Sequence, residues 1–470
     1  MKKGNLLILL LLALLSVYGQ QQDIHQMLRP LFTEDGIAEA ERLVDQYLKE
    51  DPKNVDALMY KGNVVYYKYK FNDGIYKLTK GSLVSLISVT DENIYESTIA
   101  KLGEHQEIVP ADVANEAIQY WLLAVSINHK REDIHLGISH LYSISLQTDK
   151  LINYLPTAAK NSNLSAYDMA NYARNIKERG KWEDAMKVYV KISEIFPDLG
   201  GILSDIAYEY FEKGDAKMAI QYIDQALLRK NVDEMTYGNA FFMLSVMGDY
   251  ERALKALKAQ SKLTKTEQYL LYQGIVELLQ NKPSWKKSLE SYQLSPTATK
   301  KGKALAEMLL NPKFKTDLTT LDNLSNTIDV NDGYKLPLYE YFYKNNTTNT
   351  FEPLYAYAEA LTYNLRYPEA VKIFAVANVT NIPEKLRDDY YLHYAWAKYS
   401  SGDAKGALSL WEPLLKSEDF FNRSAAAYFM GKYYLEVGNK AQAKEYFSLF
   451  ANSPSKSKYA NLSSQLLEGL

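Results

Sequence analysis

Gly180-Lys181-Trp182-Glu183-Asp184-Ala185, Gly214-Asp215-Ala216-Lys217-Met218-Ala219 and Gly248-Asp249-Tyr250-Glu251-Arg252-Ala253 are three copies of one pattern. In each, a glycine is followed five residues later by an alanine, and both recur at intervals of 34 positions. Apolar residues on either side fall three or four apart: Met169, Tyr172, Ala173 and Ile176 precede Gly180, and Ala185, Tyr189 and Ile192 follow it. That is the period of one helix face. Leu203, Ile206, Ala207 and Tyr210 before Gly214, with Ala219, Ile223 and Ala226 after it, repeat the arrangement. Tyr237, Ala240, Phe241 and Leu244 before Gly248, with Ala253 and Leu257 after it, do so again. A glycine can take the left-handed conformation that closes a helix. An alanine lets a second helix lie close against the first. The pattern predicts an all-α stack of antiparallel helix pairs, each burying the apolar face of its neighbour.

Related copies lie outside the central run. Gly402 with Ala407 and Gly438 with Ala443 keep the five-residue offset at a spacing of 36, and Gly431, Tyr434, Phe447 and Pro454 fill matching places. Ala370, Phe374 and Ala377 mark a unit without a turn glycine, where Leu365-Arg366-Tyr367-Pro368 stands instead. Near the N-terminus, Ala40, Val44, Tyr47 and Pro52 read as a second helix, and Leu58, Gly62 and Val65 as the next first helix. Ala117, Trp121 and Ala124 mark one more degenerate pair within 75–160, which otherwise leaves the register.

The chain resembles the tetratricopeptide repeat family in its small residues at the helix crossing, first-helix aromatic, turn glycine and closing proline. The resemblance implies a right-handed α-solenoid that binds protein partners. Five segments are expected: a signal peptide at 1–19; degenerate repeats at 20–160 with an insertion near 78–111; a central array at 161–281; a lysine-rich irregular connector at 282–350; and a C-terminal array at 351–470. In this family certain first-helix positions line the concave face. Carried over, they are Tyr167, Arg174, Ser204, Tyr208, Phe211, Met235 and Phe242, then Tyr355, Glu359, Leu392, Trp396, Tyr399, Tyr428 and Lys432. The expected partner contacts are the aromatic ones: Tyr208, Phe211, Phe242, Tyr355, Trp396, Tyr399 and Tyr428. Such rings offer large contact areas with few rotors to freeze. The two-carboxylate clamp of some members is missing, since the matching positions hold Ala170, Arg174, Ser204, Asp205, Met235 and Asn239.

Composition bounds the location and the chemistry. Lys2 and Lys3, the apolar run from Leu6 to Leu15, and Val17-Tyr18-Gly19 before Gln20 have the layout of a cleaved secretory signal. The run is too short for a spanning helix, which takes about 20 residues. With no cysteine in the chain, neither a disulfide nor a lipoprotein anchor can form. The expected product is exported and released without a transmembrane anchor, in the periplasm, at the outer membrane or outside the cell. Formal charge is −3, and loss of two lysines with the leader makes the mature chain more acidic, which argues against nucleic acid as a partner. The 39 tyrosines suit surfaces that are half buried or used for binding.

No catalytic or metal pattern is present. His129, His135 and His140 are spaced by six and five, which does not bring them together as an i, i+4 pair would be, and there is no HExxH, phosphate loop or GxSxG. No enzyme activity and no cofactor are expected. Between Lys282 and Lys315, eight lysines face only Glu290 and Glu307, a solvated face or a docking patch for an anionic envelope component. The expected role is a non-enzymatic scaffold of the bacterial envelope that binds a protein or peptide partner. The alternative is a component of a nutrient receptor for glycan or peptide. N-terminal sequencing of exported material should begin at or near Gln20, and an intact Met1 on cytoplasmic protein would overturn the export reading.

Overall fold

The computed structural model describes residues 24–72, 108–311, 332–346, 350–451, 453, 455 and 457–468. The expected signal peptide lies outside them, as does the expected insertion except for 108–111. By its internal contacts the chain divides into two compact units, Met1–Ile206 and Ala207–Leu470. The division falls within the central 161–281 array, where the 34-residue period runs on without a break, so periodicity alone gives no sign of it.

Every regular element among the described residues is helical. In the first unit these are α1 (Ile24–Leu28), α2 (Ile37–Glu50), α3 (Val55–Asn72), α4 (Ala111–Ile127), α5 (Glu132–Ile144), α6 (Thr148–Asn161), α7 (Ala166–Glu178) and α8 (Trp182–Ile195). Helix α9 (Gly201–Glu212) spans the division. The second unit adds α10 (Ala216–Leu227), α11 (Glu234–Val246), α12 (Tyr250–Thr264), α13 (Gln268–Leu279), α14 (Trp285–Leu294), α15 (Lys300–Leu310), α16 (Asp332–Lys344), α17 (Phe351–Tyr363) and α18 (Tyr367–Ala375). It ends with α19 (Arg387–Ser400), α20 (Ala404–Leu414), α21 (Phe420–Glu436), α22 (Lys440–Ser448) and α23 (Lys458–Glu468). Sequential helices pair (α7 with α8, α11 with α12, α19 with α20, α21 with α22), and α23 packs on both α21 and α22 at the C-terminal end.

The turn inside each pair is what repeats. Gly180, Gly214, Gly248, Gly402 and Gly438 all have φ between 77° and 95°. Leu146 (φ 56°), Asn281 (φ 55°) and Leu365 (φ 64°) do the same work without being glycine. In each case the next residue's N–H reaches back to the carbonyl five positions earlier, from Gln147 to Tyr142 (3.0 Å) through to Asn439 to Tyr434 (2.8 Å). This closure satisfies a carbonyl that the helix end would otherwise leave open. The 34-residue register therefore extends back to Leu146, where no glycine announces it. In Asp215, Asp249, Asp403 and Asn439 the same turn supplies an N-cap, whose side chain accepts a hydrogen bond from a backbone N–H in the next helix's first turn.

Seven residues before each turn the first helix carries a small side chain: Ser139, Ala173, Ala207, Gly274, Ala358, Ala395 and Gly431. Helices touch there. A Cβ on Gly274 would lie 2.4 Å from Leu289 Cδ2, and one on Gly431 would lie 2.6 Å from Phe447 Cε1. Ala185, Ala219, Ala253, Ala370, Ala407 and Ala443, five residues after the turn, are all buried. Phe241 is the exception, and it stands where the array changes course.

That change revises the expected connector. The described residues of 282–350 form three helices, α14, α15 and α16. Helix α14 pairs with α13 and α15 packs on α14, whereas α16 packs on α11 and α13 and then on α17. Tyr334 of α16 stands edge-on to Phe241 (5.1 Å between centroids) and to Tyr272 (5.4 Å). The buried Ser245 hydroxyl donates to the Gly333 carbonyl (2.5 Å), so it accepts from the Tyr272 hydroxyl (2.6 Å). The larger ring at 241 thus serves the chain's return, by partners some 90 residues further on. Lys282, Lys286, Lys287, Lys300 and Lys301 lie exposed on the α14–α15 side and Lys303 is half-buried, while Lys313 and Lys315 fall outside the described residues.

Two substitutions separate the two constraints. Gly214 has nothing near its missing Cβ but has φ 86°, so Gly214→Ala should destabilise by about 1 kcal/mol through backbone strain alone. Gly274→Ala should cost about 1–3 kcal/mol by overpacking against Leu289. Denaturation of Gly214→Ala indistinguishable from the parent would rule out the left-handed turn.

Candidate functional site

The seven aromatic residues expected to contact a partner fall into two groups. Tyr208 and Phe211 lie on α9 and Phe242 on α11. Phe211 packs edge-on against Phe242 at 5.5 Å, and at 6% exposure it is a core ring, because one turn of helix carries it past the open side. Tyr208 remains 42% exposed. With Phe242 it lines a groove of about 640 Å³ that also includes Asn239, Gln260, Gln268 and Tyr334. Of the other positions carried over to the concave face, Ser204 and Leu392 are buried, while Tyr167 and Met235 are exposed.

The second group forms a row across three first helices, α17, α19 and α21. Tyr355 meets His393 at 6.1 Å between ring centroids, and His393 meets Trp396 at 6.4 Å. Trp396 stacks on Phe429 at 6.2 Å, and Phe429 meets Tyr428 at 5.4 Å. Beneath the row, Trp411 of α20 is fully buried and contacts both Tyr399 (5.5 Å) and Phe429 (5.4 Å). The Tyr399 hydroxyl donates to the Glu436 carboxylate. Spacing accounts for the alignment, because residues three or four apart share a helix face. Tyr355, Glu359 and Tyr363 form one such line, and His393, Trp396 and Tyr399 another. All four rings expected in this array (Tyr355, Trp396, Tyr399 and Tyr428) are half-buried.

Tyr363, His393 and Phe429 were not among the expected residues. Tyr363 stands eight positions after Tyr355 and His393 three before Trp396, so same-face spacing was the available signal. Tyr363 is 55% exposed and meets the Trp396 ring edge-on at 5.3 Å.

A polar knot holds the start of the row. His393 Nδ1 lies 2.8 Å from the Asp389 carbonyl and 3.1 Å from the Tyr355 hydroxyl. Its Nε2 lies 3.0 Å from the Tyr363 hydroxyl and 3.6 Å from Glu359 Oε1. Tyr355 also donates to Glu359 at 3.4 Å. Burial raises the Glu359 carboxyl above the usual carboxylate range, outweighing the pull of His393 and the Tyr355 hydrogen bond. Burial, and then the Glu359 charge, pushes the Tyr363 phenol up to about 12. Each group has hydrogen-bond partners within the knot, so the arrangement orients rings rather than activating a nucleophile.

The three clustered histidines do not converge. His135 is buried, between the Tyr154 hydroxyl (2.6 Å) and the His129 carbonyl (2.9 Å). Among the described residues no group of His, Cys, Asp or Glu is placed to hold a metal ion, and no helix is long and apolar enough to cross a membrane.

No protein-family model matches the chain, and no curated protein matches it significantly. Among solved structures it is similar to the TPR domain of P58(IPK), at 12% identity over 95% of this chain and 97% of that one, with a TM-score of 0.21. The Naa15/Naa10 complex bound to HypK-THB matches at 14% identity over 94% and 70%, with a TM-score of 0.26. The yeast Tom70 matches at 13% over 89% and 96%, with a TM-score of 0.27. Scores this low carry no weight for function, and the fold rests on the chain's own helices, turns and crossings.

The raised carboxyl at Glu359 has a testable sign. Its ionised form costs stability above the ordinary value of 4.5, and that cost fades as pH falls below it. Glu359→Gln keeps an acceptor for Tyr355. It should melt at or above the parent at about pH 7.5, with the difference closing towards about pH 4. A variant that melts lower at neutral pH would show that the carboxylate is net favourable there.

Proposed function

We propose that this chain is an exported, non-catalytic scaffold of the bacterial cell envelope, which holds a partner protein or peptide on the aromatic row of α17, α19 and α21. The observation that carries this reading is the continuity of the row: three successive first helices present adjoining rings, with Tyr363 more than half exposed and Trp396 half-buried among its neighbours. Aromatic anchors ringed by packed neighbours are the usual centres of binding energy at protein interfaces. The leader-like N-terminus supports export to the periplasm or the outer-membrane surface, and the absence of cysteine supports a species without a lipid anchor. The exposed lysines of α14 and α15 offer a second contact, for an anionic envelope component. The alternative, a component of a glycan or peptide receptor, draws support from the Tyr208 groove, whose lining combines rings with amides and hydroxyls.

Capture from an envelope extract by the mature chain tests the reading. Replacing both Tyr363 and Trp396 with alanine should weaken capture by roughly 2 kcal/mol or more per anchor, enough to lose a micromolar complex. Circular dichroism should show helical content retained. Trp411→Ala, in the core, should instead lower the melting temperature, with a loss of about 3–5 kcal/mol. Undiminished capture by the folded double variant would remove this row as the interface.

A further inference from the structure

The Tyr208 groove has a chemistry unlike that of the aromatic row. Its lining contains amides (Asn239, Gln260, Gln268) and hydroxyls (Ser261, Thr264, Thr266) together with the rings of Tyr208, Phe242 and Tyr334. Its single carboxylate is Glu234, and no lysine, arginine or histidine lines it. Small-molecule sites are ordinarily mostly apolar with a few polar groups, at about 300–1,000 Å³. This one has the usual size and a largely apolar, ring-rich lining, with amides and hydroxyls rather than cations among its polar groups.

Two of those groups are poised. Ser261 is 4% exposed and its Oγ has no hydrogen-bond partner. A serine within a helix ordinarily bonds back to a carbonyl one turn earlier, and a buried hydroxyl left without a partner costs stability unless something satisfies it. Gln260 lies over α11 at the point where Gly238 removes a side chain: a Cβ there would come 3.0 Å from Gln260 Nε2. The glycine thus makes room for the amide along the groove wall.

We infer that this groove is a binding site for a neutral oligosaccharide, separate from the protein-binding row. A sugar ring offers a flat C–H face to Tyr208 and Phe242. Around its edge it carries closely spaced hydroxyls, each both donor and acceptor, which match Gln260 and Ser261; the Thr264 and Thr266 hydroxyls bond to each other (2.9 Å). Anionic ligands find no cation in the lining. A peptide fits less well: its backbone presents one donor and one acceptor per residue, about every 3.3 Å, and its apolar side chains would meet amides and hydroxyls where they need sockets.

Isothermal titration of the mature chain with neutral 1,4-linked hexasaccharides of glucose (α and β), mannose and xylose tests the site. At least one should bind with a Kd below about 10 mM. Tyr208→Ala should weaken that binding by roughly tenfold or more, and Ser261→Ala by roughly fivefold, with the melting temperature of Ser261→Ala no lower than the parent's. The double Tyr363→Ala, Trp396→Ala variant should bind the same sugar unchanged, so failure here is distinct from failure of the scaffold reading. The inference is overturned if no hexasaccharide binds, if binding survives both groove substitutions, or if an uncharged glycine-serine peptide binds in the sugars' place and is lost in Tyr208→Ala.

Discussion

The close crossing of two helices, held by a left-handed turn on one side and small residues on both, is the constraint from which the rest follows. A turn residue at positive φ reverses the chain within a few positions and closes the first helix with a hydrogen bond five residues back. The buried alanines five residues later let the second helix settle against it. Once that geometry recurs every 34 residues, the remaining apolar positions of each helix are committed to the interior, and those between them face outwards in rows.

The aromatic row is a product of that commitment. Stacked first helices bring rings of successive units side by side, so Tyr363, Trp396 and Phe429, which stand at different distances before their turns at Leu365, Gly402 and Gly438, become neighbours across α17, α19 and α21. Tyrosine suits the place because its ring packs on the layer beneath while its hydroxyl finds a partner at the edge. His393 takes up two of those hydroxyls and a backbone carbonyl. It therefore fixes ring orientation at the start of the row.

The array also departs from its own rule at a point that makes physical sense. Where other units carry Ala, Gly or Ser at the crossing, α11 carries Phe241, and the ring packs against Tyr272 and Tyr334. Helices α14 and α15 stand aside from the sequence of first helices, and α16 enters it instead. The groove beside Tyr208 opens at this place, bounded by α9, α11, α12, α13 and α16, so the irregularity in the repeat and this concavity coincide.

The sequence alone determined the helix pairs, the turn glycines, the buried alanines and the first-helix rings of the C-terminal array, because these depend on residues within one turn or one unit of each other. It could not reveal the left-handed turns at Leu146, Asn281 and Leu365, since that conformation costs a non-glycine residue about 1–2 kcal/mol and only the packing of both flanking helices offsets it. Nor could it separate Phe211, which is buried, from Tyr208, which is exposed, although both lie on α9. The return of α16 to α11, the companions of His393 and the unsatisfied hydroxyl of Ser261 were likewise decided by tertiary structure. Each depends on groups tens of residues apart in the chain, whose meeting is fixed by how whole helices pack and not by any local periodicity.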